Sequence, residues 1–144
     1  MQPIYQYDII VTKEFVDGNR HVNNVVYVQW MQDAAVRHSR DAGCAQATKE
    51  AGAIWVARSH WIKYIRPTFK NDLITVLTWV SDIRKVGSLR KYRFVRVSDQ
   101  TILAEGETDW AFVDAKTGRP RVIPKNIANA FTVAPKEQEP DMYL

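Results

Sequence analysis

Hydrophobic and polar positions alternate at the start of the chain. Over residues 4–15, Tyr5, Tyr7, Ile9, Val11 and Phe15 stand between polar neighbours, and Lys13 breaks the rhythm. A period of two predicts a strand with one buried face. Val16-Asp17-Gly18-Asn19-Arg20-His21 follows as a polar turn built on Asp, Gly and Asn. The period then lengthens. Val26, Trp30 and Ala34 recur every four residues, with Tyr27, Met31, Ala35 and His38 beside them, and Gln29, Asp33, Arg37 and Arg40 take the other side. This predicts one long helix over 24–42, capped by Asn23 at its start and stopped by Gly43. A short second helix is expected at about 45–51. Beyond Gly52 the chain turns aromatic and β-branched, and strands are predicted over 53–66, 72–83, 88–98 and 101–113, with one helical turn near 125–131. In the last strand Gly106 interrupts a buried face, which points to a close approach by another segment. The order is strand, long helix, then four strands. A run of antiparallel strands with one apolar face needs a cover, and a single long helix is on offer, so the expected fold is α+β, with the sheet curled around the helix.

Composition narrows the class. The chain has 144 residues, 46% hydrophobic and 25% charged, which fits one globular domain spanning 1–144 and argues against disorder. The single cysteine, Cys44, excludes an internal disulfide and any multi-cysteine metal cluster. His21, His38 and His60 lack metal-ligand spacing, so no metal is expected. No apolar run approaches the roughly 18 residues of a membrane helix, and the first residues do not read as a signal peptide. The expectation is a cytoplasmic protein without a membrane partner.

The net charge of +4 is uneven. Between Asp82 and Arg96 lie Arg84, Lys85, Arg90, Lys91, Arg93 and Arg96 against one acid, while residues 136–144 run acidic. Such a stripe suits an anionic partner, or it is simply a solvated strand face. Nucleic acid is not the expected partner, because no basic helix or RNA-binding aromatic motif accompanies the stripe.

The segment Asp17-Gly18-Asn19-Arg20-His21-Val22-Asn23-Asn24-Val25-Val26-Tyr27 concentrates polar chemistry directly before the helix. A helix start presents unpaired N–H groups and a partial positive charge, which polarise a carbonyl and hold an oxyanion. A carboxylate beside it acts as a base toward water or as a nucleophile. Asp17 is therefore a candidate for acyl transfer. The same residues are equally ordinary turn and cap residues, and physics alone does not choose between the two.

This segment resembles the motif of the hotdog-fold thioesterases. Asp-x-Asn-x-His-Val-Asn-Asn-x-x-Tyr is close to the plant-type acyl-ACP thioesterases and similar to the 4-hydroxybenzoyl-CoA thioesterase and YbgC-like group, where the Asp likewise stands ten residues before a Tyr. Tyr64-Ile65-Arg66-Pro67-Thr68-Phe69-Lys70-Asn71-Asp72 is like the family's turn before its third strand, and the likeness extends over about residues 5–131. The resemblance implies a hotdog fold, a long helix wrapped by a curved five-stranded antiparallel sheet. It implies subunits paired edge to edge as a homodimer or homotetramer, with active sites between them, and hydrolysis of an acyl-CoA to free acid and CoA. An acyl carrier protein is the alternative thiol carrier. Coenzyme A enters as part of the substrate, with no cofactor. Carried over, Asp17 is the catalytic carboxylate, Asn19 and His21 assist it, and the N–H near Asn24 receives the carbonyl. Ser59 and His60 line the partner's site. Arg84, Lys85 and Ser88 contact the coenzyme A phosphates, as Arg, Lys and hydroxyl donors do. The chain departs from many relatives in having Asn24 where they have Tyr or His, Gln32 where they have a helix carboxylate, and Pro67 where the acyl-ACP branch has an acid. Two other readings share these features. A hydratase of the same fold typically has its His five residues after the Asp, whereas His21 comes four after Asp17. A non-catalytic acyl-thioester-binding module keeps the fold and the basic stripe.

Overall fold

The computed structural model describes residues 3–140. The first strand is shorter than the alternation implies: β1 (Tyr5–Ile10) ends before Lys13, and Lys13–Phe15 winds into a 3₁₀ turn. Val11 exchanges backbone hydrogen bonds with Asn71 and Asp72 instead of extending the ladder. The remaining elements fall within about two residues of expectation at most ends: α1 (Asn24–Asp41), α2 (Cys44–Glu50), β2 (Ala53–Tyr64), β3 (Leu73–Ile83), β4 (Gly87–Arg96), β5 (Thr101–Asp114) and α3 (Lys125–Ala128). The last of these is a single turn, ending three residues short of 131.

Caps explain the ends of α1. The Asn23 side chain accepts from the Val25 N–H, and Gly43 adopts φ +81°, the left-handed conformation that a side chain resists. The five strands form one antiparallel sheet in the order β1-β3-β4-β5-β2. Tyr27, Trp30, Met31, Ala34, Ala35 and His38 of α1 are buried, and most of them pack into a core with Val76, Tyr92, Phe94 and Leu103. This is the helix-in-curved-sheet arrangement of the hotdog fold. Gly106 marks a close approach by a side chain: a β-carbon there would meet Met31 Sδ at 2.9 Å. A second apolar cluster, Cys44, Ala53, Phe112, Ile123 and Ile127, sits under α2 and α3.

β2 contains a bulge between Ala57 and Ser59. The extra residue reverses which parity faces the helix. Ala53 and Trp55 point inward before it, while His60 and Ile62 do so after it, with Ile62 packed on the main core and Trp55 on the second cluster. β2 is also an edge strand, hydrogen-bonded on one side only, to β5. No helix among the described residues is long and apolar enough to cross a membrane.

Candidate active site

The approach to α1 is a small ribbon. Val16 pairs with Val22, His21 pairs with Phe69, and the Asn23 N–H donates to Phe15 O at 2.9 Å. The Val22 N–H donates to Thr68 O at 2.9 Å, so the segment before β3 braces the ribbon from behind. At its tip the Asp17 N–H donates to His21 O, the Arg20 N–H donates to Asp17 O, and Arg20 takes φ +67° to close the turn. Asp17 Oδ1 accepts from the Asn19 N–H at 2.8 Å. One carboxylate oxygen thus shapes the loop and the other has no partner among the described residues. Asp17, Asn19, His21 and Asn24 are gathered at this end of α1, and all four are exposed. The His21 ring lies edge-on to Phe69, with centroids 5.3 Å apart.

The first turn of α1 is prepared for an acceptor. Asn23 occupies the Val25 N–H, whereas the Asn24 N–H has no acceptor among the described residues. The Tyr64 hydroxyl donates to Asn24 O at 2.8 Å, and the Tyr27 hydroxyl shares a 2.7 Å hydrogen bond with Thr68 Oγ1. Burial pushes both tyrosines above the ordinary phenol pKa, so they act here as neutral hydroxyls. Nothing in the local sequence marks these braces as site residues. Tyr64 is legible as an aromatic at the end of a strand, but its partner lies forty residues away.

The other candidates lie elsewhere. The ribbon that carries Asp17 is tied through Val22 and Thr68 to the segment before β3, and Arg84, Lys85 and Ser88 adjoin the other end of β3. β3 has eleven residues, so at about 3.3 Å each the two groups stand roughly 33 Å apart within one chain. His60, midway along β2, holds Thr108 Oγ1 through Nδ1 at 2.8 Å, and Ser59 points to the opposite face.

The six basic residues of the 82–96 stretch do not form one anion-binding surface. Strand alternation sends them to opposite faces of the sheet, and acids from neighbouring segments reach most of them. Arg84 donates to Asp82 and Asp109 and lies across Gly87, where a β-carbon would stand 2.8 Å from its Nη2. Lys91 pairs with Glu139, Arg93 with Glu105, and Arg96 with Asp72 and Asp99. Ser88 is buried and gives its hydroxyl to Asp82 O. Arg90 is buried beneath α1. Lys85 is exposed, with no side-chain partner among the described residues.

A cavity of about 640 Å³ lies under the second half of α1, bounded by α2, α3 and the inner face of the sheet. Its lining is mostly apolar and includes Val36, Ala45, Ile54, Ile127 and Phe131. Among the described residues, no three His, Cys, Asp or Glu side chains gather as a metal site.

The chain is similar in fold to several solved hotdog proteins. One is YbaW, a probable thioesterase from Escherichia coli, at 18% identity and TM-score 0.81, covering 88% of this chain and 95% of that one. Another is Slr0204, a 1,4-dihydroxy-2-naphthoyl-CoA thioesterase from Synechocystis, at 15% identity and TM-score 0.80, covering 88% and 94%. A third is SAV2348 from Staphylococcus aureus, solved in complex with CoA, at 16% identity and TM-score 0.81, covering 98% and 95%. No curated protein matches the sequence. The model of the thioesterase-like superfamily matches residues 11–131, and the chain belongs to that family.

Proposed function

We propose that this protein hydrolyses acyl-CoA thioesters, with Asp17 as the reacting carboxylate and a site completed by a second copy of the chain. One observation carries this reading: a carboxylate with a free oxygen is held on a braced loop beside a helix start whose Asn24 N–H is unoccupied. The thioester carbonyl accepts from that N–H, where the helix dipole favours the developing oxyanion. Asp17 either takes a proton from the attacking water or attacks the carbonyl itself. Collapse of the tetrahedral adduct breaks the C–S bond. Where Asp17 has acted as base, the proton it took from water passes to the leaving thiolate and the free acid is formed. Where it has attacked directly, the thiolate takes its proton from solvent, and water then opens the Asp17–acyl anhydride, which releases the acid and restores the carboxylate. Asn19 and His21 flank the carboxylate and orient water or substrate.

The second copy follows from distance. Within one chain Asp17 and the nucleotide-contact candidates are at opposite ends of β3. Two β2 edges joined antiparallel about a two-fold axis set the two α1 helices antiparallel as well, so one chain's Asp17 loop meets the other chain's far end. β2 suits this pairing. It is twelve residues long and presents exposed Ile54, Val56 and Trp61 beside an unpaired edge. In such a dimer Lys85 is the cation available to a coenzyme A phosphate, and His60 faces the partner's site. The CoA complex of SAV2348 supports a CoA thioester over an acyl carrier protein.

Asp17→Asn tests the mechanism. Asparagine keeps an oxygen for the Asn19 N–H, so the loop and fold persist. Thiol release from a panel of short, long and aryl acyl-CoAs is expected to fall by about 10²- to 10⁴-fold. Release at the native rate would remove Asp17 from the mechanism. Acyl-CoA binding with no thiol release by the wild-type protein would make it a binding module.

A further inference from the structure

The cavity under α1 contains a charge with no counter-charge among the described residues. Arg90 is 4% exposed and lies on the cavity wall. Its Nη1 reaches His38 Nδ1 at 2.9 Å and Thr78 Oγ1 at 3.0 Å, and its guanidinium lies 5.2 Å from the Phe131 ring centroid. No carboxylate pairs with it, and its Nε and Nη2 have no hydrogen-bond partner among the described residues. Arg93, on the same strand and 5% exposed, has Glu105. A guanidinium carries five N–H donors, and burying it without a counter-charge is costly. Two neighbouring polar groups are held neutral. Burial and the adjacent Arg90 push His38 down to about 3, so it is a neutral acceptor, and burial raises the Tyr92 phenol above its ordinary pKa.

Arg90 is therefore a donor set built into an otherwise apolar chamber. The chamber's size is that of a small-molecule site, and such sites fix orientation with a few placed polar groups. Its lining includes exposed Val36 and Ile54, which mark a mouth near the β2 edge. His38 is fourteen positions past Asn24, roughly 21 Å along the helix axis. The two-fold pairing proposed above brings the partner's Asp17 toward this mouth.

We propose that the cavity receives the acyl group of the thioester and that Arg90 binds an oxygen at its far end, a terminal carboxylate foremost. The substrate class is then acyl-CoAs whose acyl group ends in an oxygen acceptor, with Arg90 the specificity-determining residue. This rests on the thioester reading of the site, but binding and hydrolysis are read separately.

The test compares acyl-CoAs of matched chain length ending in methyl, hydroxyl or carboxylate. Binding is measured by calorimetry on Asp17→Asn protein, and thiol release on wild type. The wild-type protein is expected to favour the carboxylate-ended substrate by about 10- to 100-fold in kcat/KM, the range of one charged hydrogen bond, with the hydroxyl-ended one between. Asp17→Asn/Arg90→Met is expected to lose that preference in binding while methyl-ended acyl-CoA binds within about threefold. Equal affinity for all three end groups would overturn the proposal, and this comparison needs no Arg90 variant. Preference in binding with no thiol release by wild type would support the pocket and refute the hydrolytic reading.

Discussion

Asp17 holds one structural job, and the proposed mechanism gives it a second that substitution can separate from the first. One oxygen closes the turn through the Asn19 N–H, and the other is free for chemistry. Asp17→Asn keeps the first and removes the second, so its melting curve should overlay the wild type while turnover collapses. His38 shows a different kind of legibility. From sequence it reads as structural or exposed, and the fold decides: it is buried, stacked on Tyr5 at 5.0 Å and edge-on to Phe131. Its Arg90 neighbour, fifty-two residues away, was not readable. Because the folded state lowers the His38 pKa from 6.5 to about 3, mainly by burial, the unfolded chain takes up a proton there that the folded chain refuses. The stability that His38 contributes is full above pH 6.5 and is lost as pH falls toward 3. Nearby Asp41 opposes this shift without cancelling it. His38→Gln, which replaces the ring nitrogen acceptor with a non-titrating amide oxygen for Arg90, should flatten the fall of Tm with pH across that window. Thermal melts of both proteins from pH 3 to 7 check this, and parallel curves would contradict it.

Elements were legible wherever one face is consistently buried. The four-residue recurrence of Val26, Trp30 and Ala34, capped by Asn23 and stopped by Gly43, yields α1 to within a residue. Gly106 in β5 was legible as a place of close approach, though not what approaches. Met31 packs directly over it with no exposed surface, so Gly106→Ala should cost about 1–3 kcal/mol through overpacking. Urea denaturation measures this, and an unchanged midpoint would mean that Met31 swings aside freely. β2 was legible as a strand but not in its facing. The bulge between Ala57 and Ser59 exchanges the two faces midway, and an alternation that changes phase looks like no alternation.

Across the whole molecule, the sheet has two unequal edges. β1 offers six residues and β2 twelve, with Trp61 52% exposed beside the longer edge. In the proposed dimer, paired β2 edges would hide that surface and join each Asp17 loop to the other chain's cavity and Lys85. Val56→Glu together with Trp61→Glu places like charges on the joint surface of both copies. Sedimentation should show the wild type as a dimer or larger assembly and the variant shifted to monomer, with hydrolysis lost alongside. A variant that stays assembled and active would place the contact elsewhere.

The residues of 17–27 announce a polar loop leading into a capped helix, and the alternating stretches announce strands, because turn chemistry, capping and amphipathic period act between near neighbours. The basic stretch of 82–96 shows where that reach ends. In the chain it is one run of cations. In the fold Arg84, Lys91, Arg93 and Arg96 each meet an acid from another segment, and Arg90 turns inward to a chamber with none. Charge adds up along the sequence, but strand pairing and burial distribute it. Which cations are spent within the protein and which remain for a ligand depends on contacts between distant residues, and those exist only once the sheet has closed around the helix.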